Sequence, residues 1–235
     1  NTNTTSNIDI TIDVATVGGG NVAPIAPTPD INSTNGNNKT LEDLNCYDTI
    51  IDPDGGVMNV TVEWFNRTIR HLSVDYNTSY ANNTLFNAIL ANGNTTKAQN
   101  WTCGIRLFDG VAYAGFVNTT YSVNITNTVP TVTLSSPAHG NLTTNRTPTF
   151  SWSGSDDDSD TLGFFISEIN SSMLNCDIDI NILACKPYKN VYGLTNISVF
   201  AFDGQNRSDK KNFTINIIPV NDYPYQVNII NPING

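Results

Sequence analysis

Short runs of alternating apolar and polar residues recur about every ten residues along this chain, and turn-forming residues separate them. Val60, Val62 and Trp64 share one face of one such run, and alternate residues from Trp101 to Leu107 share one face of another. Patterns with the period of a helix are nearly absent. We therefore expect an all-β chain built from sandwiches of two packed sheets.

The composition limits the size and the partners of such domains. A chain of 235 residues with 39% hydrophobic residues can form two sandwiches of about 100 residues each. A net charge of -10 argues against nucleic acid or an anionic membrane as a partner, because both attract basic surfaces. No apolar run approaches the roughly 18 residues of a membrane span, so we expect none in this stretch.

Asparagine residues stand before Ser or Thr far more often than chance predicts. The sequence holds 17 Asn-x-Ser/Thr triplets, whereas random placement predicts about seven. This excess indicates a heavily N-glycosylated extracellular protein. On the strands, Asn59, Asn100, Asn124, Asn196 and Asn212 all fall on the polar side, where a glycan can project without disturbing a core. The predicted acceptors are Asn3, Asn32, Asn38, Asn59, Asn66, Asn77, Asn82, Asn94, Asn100, Asn118, Asn124, Asn141, Asn145, Asn170, Asn196, Asn206 and Asn212.

Four cysteines indicate an oxidising compartment, since none lies in a zinc-binding pattern. Three pairings are possible, and we expect Cys46 with Cys103 and Cys176 with Cys185. Cys46 and Cys103 both fall on the apolar faces of their strands, as a core disulfide requires. The short bridge is expected to pin a surface loop. In the loop-entropy relation the long bridge stabilises by about 4 kcal/mol and the short one by about 2.6 kcal/mol.

Residues 28–127 resemble an immunoglobulin-like domain of the kind found in archaeal and bacterial surface proteins, related to PKD-type repeats. Cys46, the strand Trp64 and Cys103 occur in the order typical of such domains, although Trp101 stands where antibody domains usually have Tyr. Further matching segments are DPDGG (52–56), EWFN (63–66), NTL (83–85), NTTK (94–97), WTC (101–103), FDG (108–110) and YSVNIT.

Residues 128–221 resemble a second sandwich of cadherin-like or fibronectin type III character, with Phe150, Trp152 and Val199 expected to fill its core. Similar Pro-containing seams precede and follow both sandwiches. We therefore predict tandem immunoglobulin-like β-sandwiches joined by short Pro-containing linkers. Residues 1–27 are expected to be a terminal strand of a preceding repeat or a donor strand, plus a Gly-rich linker, and residues 222–235 to begin a following repeat.

Acidic residues concentrate in loops that lie at the same end of such a sandwich. Oxygen ligands from two loops suit calcium, and the resemblance to cadherin-like repeats implies that Asn221 and Asp222 add ligands for a following domain. The alternative is ordinary turn chemistry with solvated carboxylates. The predicted ligands are Asp52, Asp54 and Asp109 in the first sandwich, and Asp156, Asp158, Asp160 and Asp203, with Asp157 beside them, in the second.

Signals for catalysis are weak. Neither His71 nor His139 has a nucleophile or a metal motif nearby, and the glycines at 18–20 lack the Lys of a phosphate loop. We therefore expect a non-enzymatic, secreted, N-glycosylated structural subunit of an archaeal cell-surface filament or S-layer. Its expected partners are copies of itself or adjacent repeats. The alternatives are an adhesin or ligand-binding stalk and, third, an accessory domain of an enzyme.

The stretch IDITIDVATV at 8–17 alternates apolar and acidic residues, so it has one face to bury. Two hypotheses follow. The strand closes a preceding domain of the same chain, or it inserts into a neighbouring subunit as a donor strand.

Overall fold

The computed structural model describes residues 19–137, the backbone of 141–143, and residues 147–219. The predicted strand at 8–17 and the segment 222–235 lie outside these residues. The described chain forms two compact units. The first comprises residues 19–32, 45–90 and 101–122, and the second comprises 33–44, 91–100 and the residues from 123 onward. The second unit combines 33–44 and 91–100 with the residues from 123 onward, so these units do not test the predicted domain ranges. The ranges stay predictions.

Sixteen strands and one short 3₁₀ helix make up the secondary structure of the described residues, in agreement with the expected all-β class. The strands are β1 (Asp30–Ser33), β2 (Leu44–Ile50), β3 (Val57–Asn66), β4 (Ile69–Ala81), β5 (Thr84–Leu90), β6 (Asn100–Phe108), β7 (Val117–Asn118), β8 (Val123–Asn124), β9 (Thr131–Ser136), β10 (Asn141–Thr143), β11 (Thr149–Ser155), β12 (Gly163–Ile169), β13 (Leu174–Asp179), β14 (Ile182–Pro187), β15 (Gly193–Phe202) and β16 (Lys211–Ile217). The 3₁₀ helix is Asn92–Asn94.

Two sheets form from strands β1 to β7. One has the order β1-β2-β5, and the other has the order β4-β3-β6-β7. The inward residues of β3 and β6 are the alternating apolar ones, and Trp64 and Trp101 are fully buried. The predicted disulfide between Cys46 and Cys103 joins β2 of one sheet to β6 of the other. Both cysteines are fully buried, so the prediction of a core disulfide is confirmed.

Strands β9 to β16 form a second sandwich with the sheet orders β13-β14-β11-β9 and β10-β16-β15-β12. Its core contains no disulfide between the sheets. Phe150 and Trp152 of β11 pack instead against Phe213 of β16, with ring centroids 5.2 and 6.2 Å apart. Val199 is also fully buried, so all three aromatic or aliphatic residues predicted for this core lie in it.

The second disulfide has the predicted partners but a different setting. Cys176 and Cys185 face each other across the antiparallel strands β13 and β14, and Cys185 is part of the hydrophobic core. The expectation that this bridge pins a surface loop was wrong. The intervening residues form two paired strands with a turn at Ile180 and Asn181, so the cysteines occupy facing ladder positions.

Candidate functional site at the acidic loops

Equivalent turns follow β6 and β15. Asp109 and Asp203 stand directly after these strands, and in each turn one carboxylate oxygen accepts the backbone N–H groups two and three residues further on, at 2.5 to 2.7 Å. The next residues, Gly110 and Gly204, have φ angles of 98° and 95°, a left-handed conformation that glycine adopts at low cost. Each strand therefore ends in the same rigid turn with one carboxylate oxygen still available.

A second pair of equivalent loops follows β2 and β11. Asp52 accepts the backbone N–H of Asp54 at 2.7 Å, and Asp156 accepts that of Asp158 at 2.9 Å. In both loops the residue after the second aspartate closes a turn onto the first, with N···O distances of 3.1 Å. The Asp-x-Asp pattern thus forms a turn in both loops, and the second carboxylate of each turn accepts a hydrogen bond from another segment.

Two consecutive residues bridge the acidic loops of the first unit. The side-chain amide of Asn21 donates to Asp109 at 3.0 Å, and the backbone N–H of Val22 donates to Asp54 at 2.7 Å. We name these four residues the first clamp. Both hydrogen bonds are exposed to solvent.

The same arrangement recurs in the second unit. The side-chain amide of Asn127 donates to Asp203 at 2.8 Å, and the backbone N–H of Thr128 donates to Asp158 at 2.5 Å. These four residues form the second clamp. Here the contact is buried, since Asn127 is 6% and Asp203 is 8% exposed. Asn127 also donates to the carbonyl of Thr128 at 2.9 Å.

The hydrogen bonds of the clamps stabilise ionised carboxylates. Burial raises the pKa of Asp203, but the backbone N–H of Asn206 and the amide of Asn127 outweigh burial and hold the pKa below its ordinary value of 3.8. The backbone N–H of Ala112 and the amide of Asn21 likewise lower the pKa of Asp109. Both carboxylates are therefore charged at neutral pH.

The predicted calcium ligands come together only in part. Oxygen atoms of Asp156, Asp160 and Asp203 lie within 4.8 Å of one another, and we name these residues the acidic cluster. In the described residues it is the one group of three or more potential metal ligands at such distances. The predicted trio of Asp52, Asp54 and Asp109 is therefore linked through the first clamp without forming a comparable group. Asn221 and Asp222 lie outside the described residues. Calcium binding stays a prediction.

Sequence reasoning missed the asparagine half of each clamp. The pattern Asn-x-x-Pro occurs in each of the three seams, at 21–24, 127–130 and 221–224, but it also occurs at 145–148 and 216–219, so it does not mark the clamp by itself. It also missed Lys97, whose amino group contacts Asp160 and the side-chain oxygen of Asn127, the latter at 2.9 Å. No local pattern marks a lysine that meets its partner 63 residues further along the chain.

Of the 17 predicted glycosylation sites, 14 have described side chains, since Asn3 and Asn145 and the side chain of Asn141 lie outside the description. None of these 14 is buried. At several of them the side-chain oxygen, and not the nitrogen that would carry a glycan, accepts a hydrogen bond, as in Asn59, Asn82 and Asn196. By contrast, the side-chain nitrogens of Asn32 and Asn94 donate to the hydroxyl of Tyr47 and the carbonyl of Ala91, so a glycan there would alter these bonds. Glycosylation stays a prediction.

Of the two histidines, only His71 is described. It lies exposed on β4, with its ring 5.1 Å from that of Trp101. His139 and Gly18 lie outside the described residues, and Gly19 and Gly20 are exposed. In the described part of the chain, no helix has the length and apolar character that crossing a bilayer would require.

Comparisons with known proteins return only distant structural likenesses. No protein-family model and no curated protein matches the chain. It is similar to the FN1–FN3 domains of chicken CNTN1, with 11% identity, a TM-score of 0.30, and coverage of 83% of this chain and 66% of that one. It is also similar to fibronectin(III)-like modules of Clostridium thermocellum CbhA, with 20% identity, a TM-score of 0.24, and coverage of 78% and 91%.

A two-domain fibronectin type III segment of chicken tenascin is another similar structure, with 11% identity, a TM-score of 0.36, and coverage of 83% of this chain and 99% of that one. These structures are fibronectin type III or fibronectin type III-like domains. TM-scores this low carry no argument about function, and the sandwich fold rests on the sheets described above.

Proposed function

We propose that this chain is a non-enzymatic structural subunit of an extracellular cell-surface assembly, a filament or an S-layer, in which repeats or subunits join by strand pairing across seams. The observation that carries the proposal is the duplication of the clamp. The same two hydrogen bonds connect an Asn-x-x-Pro seam to the same two acidic loops in both units. A chain whose seams are built alike is organised as a tandem array.

The disulfides and the asparagine triplets support the extracellular part of the proposal. Disulfides persist in oxidising compartments, and the two bridges join β2 to β6 between sheets and β13 to β14 within one sheet. Exposed glycans at the predicted acceptors would cover strand faces and hinder unwanted pairing between sheet edges. The proposed partners are copies of the chain or adjacent repeats.

Electron microscopy of the glycosylated protein purified from its native source tests the proposal. We expect fibres or a lattice. Isolated, unbranched molecules at all concentrations would contradict self-assembly and favour the adhesin stalk instead. Mass spectrometry of the same sample should show hexose-containing peptides at several predicted asparagines, and unmodified peptides throughout would contradict the glycoprotein part.

The donor-strand hypothesis needs its own test, because an assembly can form without it. Cysteine residues introduced at Ile10 and along a free sheet edge should cross-link between copies if the strand inserts into a neighbour. Cross-links that form only within one chain would contradict donor-strand insertion and leave the assembly itself untouched.

A further inference from the structure

A lysine side chain places a positive charge beside the acidic cluster. Lys97 follows the 3₁₀ helix Asn92–Asn94, and its amino group contacts the carboxylate of Asp160 and the side-chain oxygen of Asn127. The side chain of Lys97 is 30% exposed and that of Asp160 is 23% exposed. The ammonium therefore sits at the rim of the acidic cluster, beside the oxygens that a metal would use.

The remaining carboxylate oxygens are mostly committed to hydrogen bonds. Asp203 uses both oxygens, one for two backbone N–H groups and one for the amide of Asn127. Asp158 also uses both, for the hydroxyl of Thr40 and the N–H of Thr128. One oxygen of Asp156 accepts two backbone N–H groups.

Calcium binds six to eight oxygen ligands in proteins. Here six of the eight carboxylate oxygens of Asp156, Asp158, Asp160 and Asp203 accept hydrogen bonds from N–H, O–H or ammonium donors. Several of these donors are backbone groups held by the turns, so a bound ion would have to share these oxygens with N–H groups that stay in place. This donor set fits a resident ammonium better than a resident calcium ion.

The first unit offers an internal comparison. Gly56 occupies the loop position that corresponds to Asp160, two residues after the outward aspartate. The acidic loops of the first unit thus have one carboxylate fewer, and the described residues form no group of three potential metal ligands there. Asp160, the additional carboxylate, and Lys97, which contacts it, both lie in the second unit, as expected if they form an ion pair.

We infer that the ammonium of Lys97 is the resident cation of the second clamp and takes the place that the sequence assigned to calcium. It links the segment 91–100, the seam residue Asn127 and the loop residue Asp160, all within the second unit. Among the described residues, the second oxygen of Asp156 is buried without a hydrogen-bond partner, so the ammonium compensates the charge of the acidic cluster without pairing every oxygen.

Thermal unfolding of the full chain with and without calcium tests this inference. The variants are Lys97→Met, which keeps the apolar stem and removes the charge, and Lys186→Met, which removes an exposed lysine of the same unit. In excess EDTA we expect Lys97→Met to melt several degrees below wild type and Lys186→Met to melt with wild type. Millimolar calcium should leave the wild-type melting temperature unchanged.

Two results would overturn the inference: a wild-type melting temperature that rises with calcium, or a Lys97→Met variant that is as stable as Lys186→Met in EDTA. If Lys97→Met does not fold, amine labelling of the native wild-type chain decides. Lys97 should react more slowly than Lys186, and equal rates would refute the ion pair with Asp160. These outcomes do not depend on whether the chain assembles.

Discussion

Replacing the clamp asparagines with alanine is the sharpest test of the clamps, because the chain supplies its own control. Asn127→Ala removes the amide that donates to Asp203 at 2.8 Å and to the carbonyl of Thr128 at 2.9 Å. Asn21→Ala removes the equivalent bond to Asp109 at 3.0 Å. Both changes remove an amide that donates to an aspartate, but the bond of Asn127 is buried, and Asn127→Ala also removes the contacts with the carbonyl of Thr128 and the ammonium of Lys97.

The expected magnitude follows from that burial. A hydrogen bond to a charged group contributes about 1.5–3 kcal/mol and a neutral one about 1 kcal/mol when water cannot replace it. Asn127 is 6% exposed and Asp203 is 8% exposed, so its loss should lower the free energy of unfolding of the second unit by about 3 kcal/mol. Asn21 is exposed, so water replaces its bond and we expect no measurable change.

Denaturant unfolding monitored by hydrogen exchange separates the two units, since protected amides in β6 report on the first and those in β15 on the second. A loss of about 3 kcal/mol corresponds to roughly 10 °C or more in the melting temperature of a domain of this size. Equal effects of Asn127→Ala and Asn21→Ala, or a change below about 1 kcal/mol for Asn127→Ala, would refute the assignment of a buried, charge-assisted contact.

Three further predictions concern pH, the disulfide and packing. Because the pKa of Asp203 is lowered in the folded state, the carboxylate stabilises the second unit above about pH 4 and this stability is lost as the pH falls through the folded pKa. The Asp203→Asn variant should therefore be less stable than wild type at neutral pH, and it should lose less stability than wild type as the pH falls in a titration followed by circular dichroism. An equal loss of stability in acid would contradict this. Replacing Cys46 and Cys103 together with alanine opens a loop of 57 residues and should cost the first unit about 4 kcal/mol in a denaturant titration, with an unaltered midpoint as the contrary result. Gly104→Ala would bring a Cβ to 2.3 Å from a ring carbon of Phe116 and should cost about 1–3 kcal/mol, whereas Gly115→Ala, with open space around it, should melt with wild type.

Local pattern was sufficient for the parts of the fold that depend on strand periodicity. The alternation around Trp64 and Trp101 predicted which residues are buried, and the parity of Cys46 and Cys103 predicted a bridge between sheets. The exposed positions of Asn124, Asn196 and Asn212 follow from the same period-two rule. A side chain on a strand has only two faces to choose between, so sequence alone decides burial once the core face is known.

The setting of the second disulfide could not be read in this way. Nine residues separate Cys176 from Cys185, a spacing that suits either a closed loop or a hairpin. The hairpin forms because the sheet already contains β11, with which β14 pairs, and this partner lies far away in the sequence. Long-range pairing therefore decided what the local spacing left open.

In the acidic loops, too, local pattern predicts one part of the structure and long-range contacts decide the other. Sequence by itself determined that Asp-x-Asp and Asp-Gly segments form tight turns at the ends of strands, because turn geometry depends on neighbouring residues only. Tertiary structure alone decided what those carboxylates meet. Asn127 reaches Asp203 across 76 residues and Lys97 reaches Asp160 across 63, so an amide and an ammonium contact carboxylates that the loop pattern predicted as calcium ligands. Charge is a property of each residue, whereas the partner that compensates it is a property of the fold.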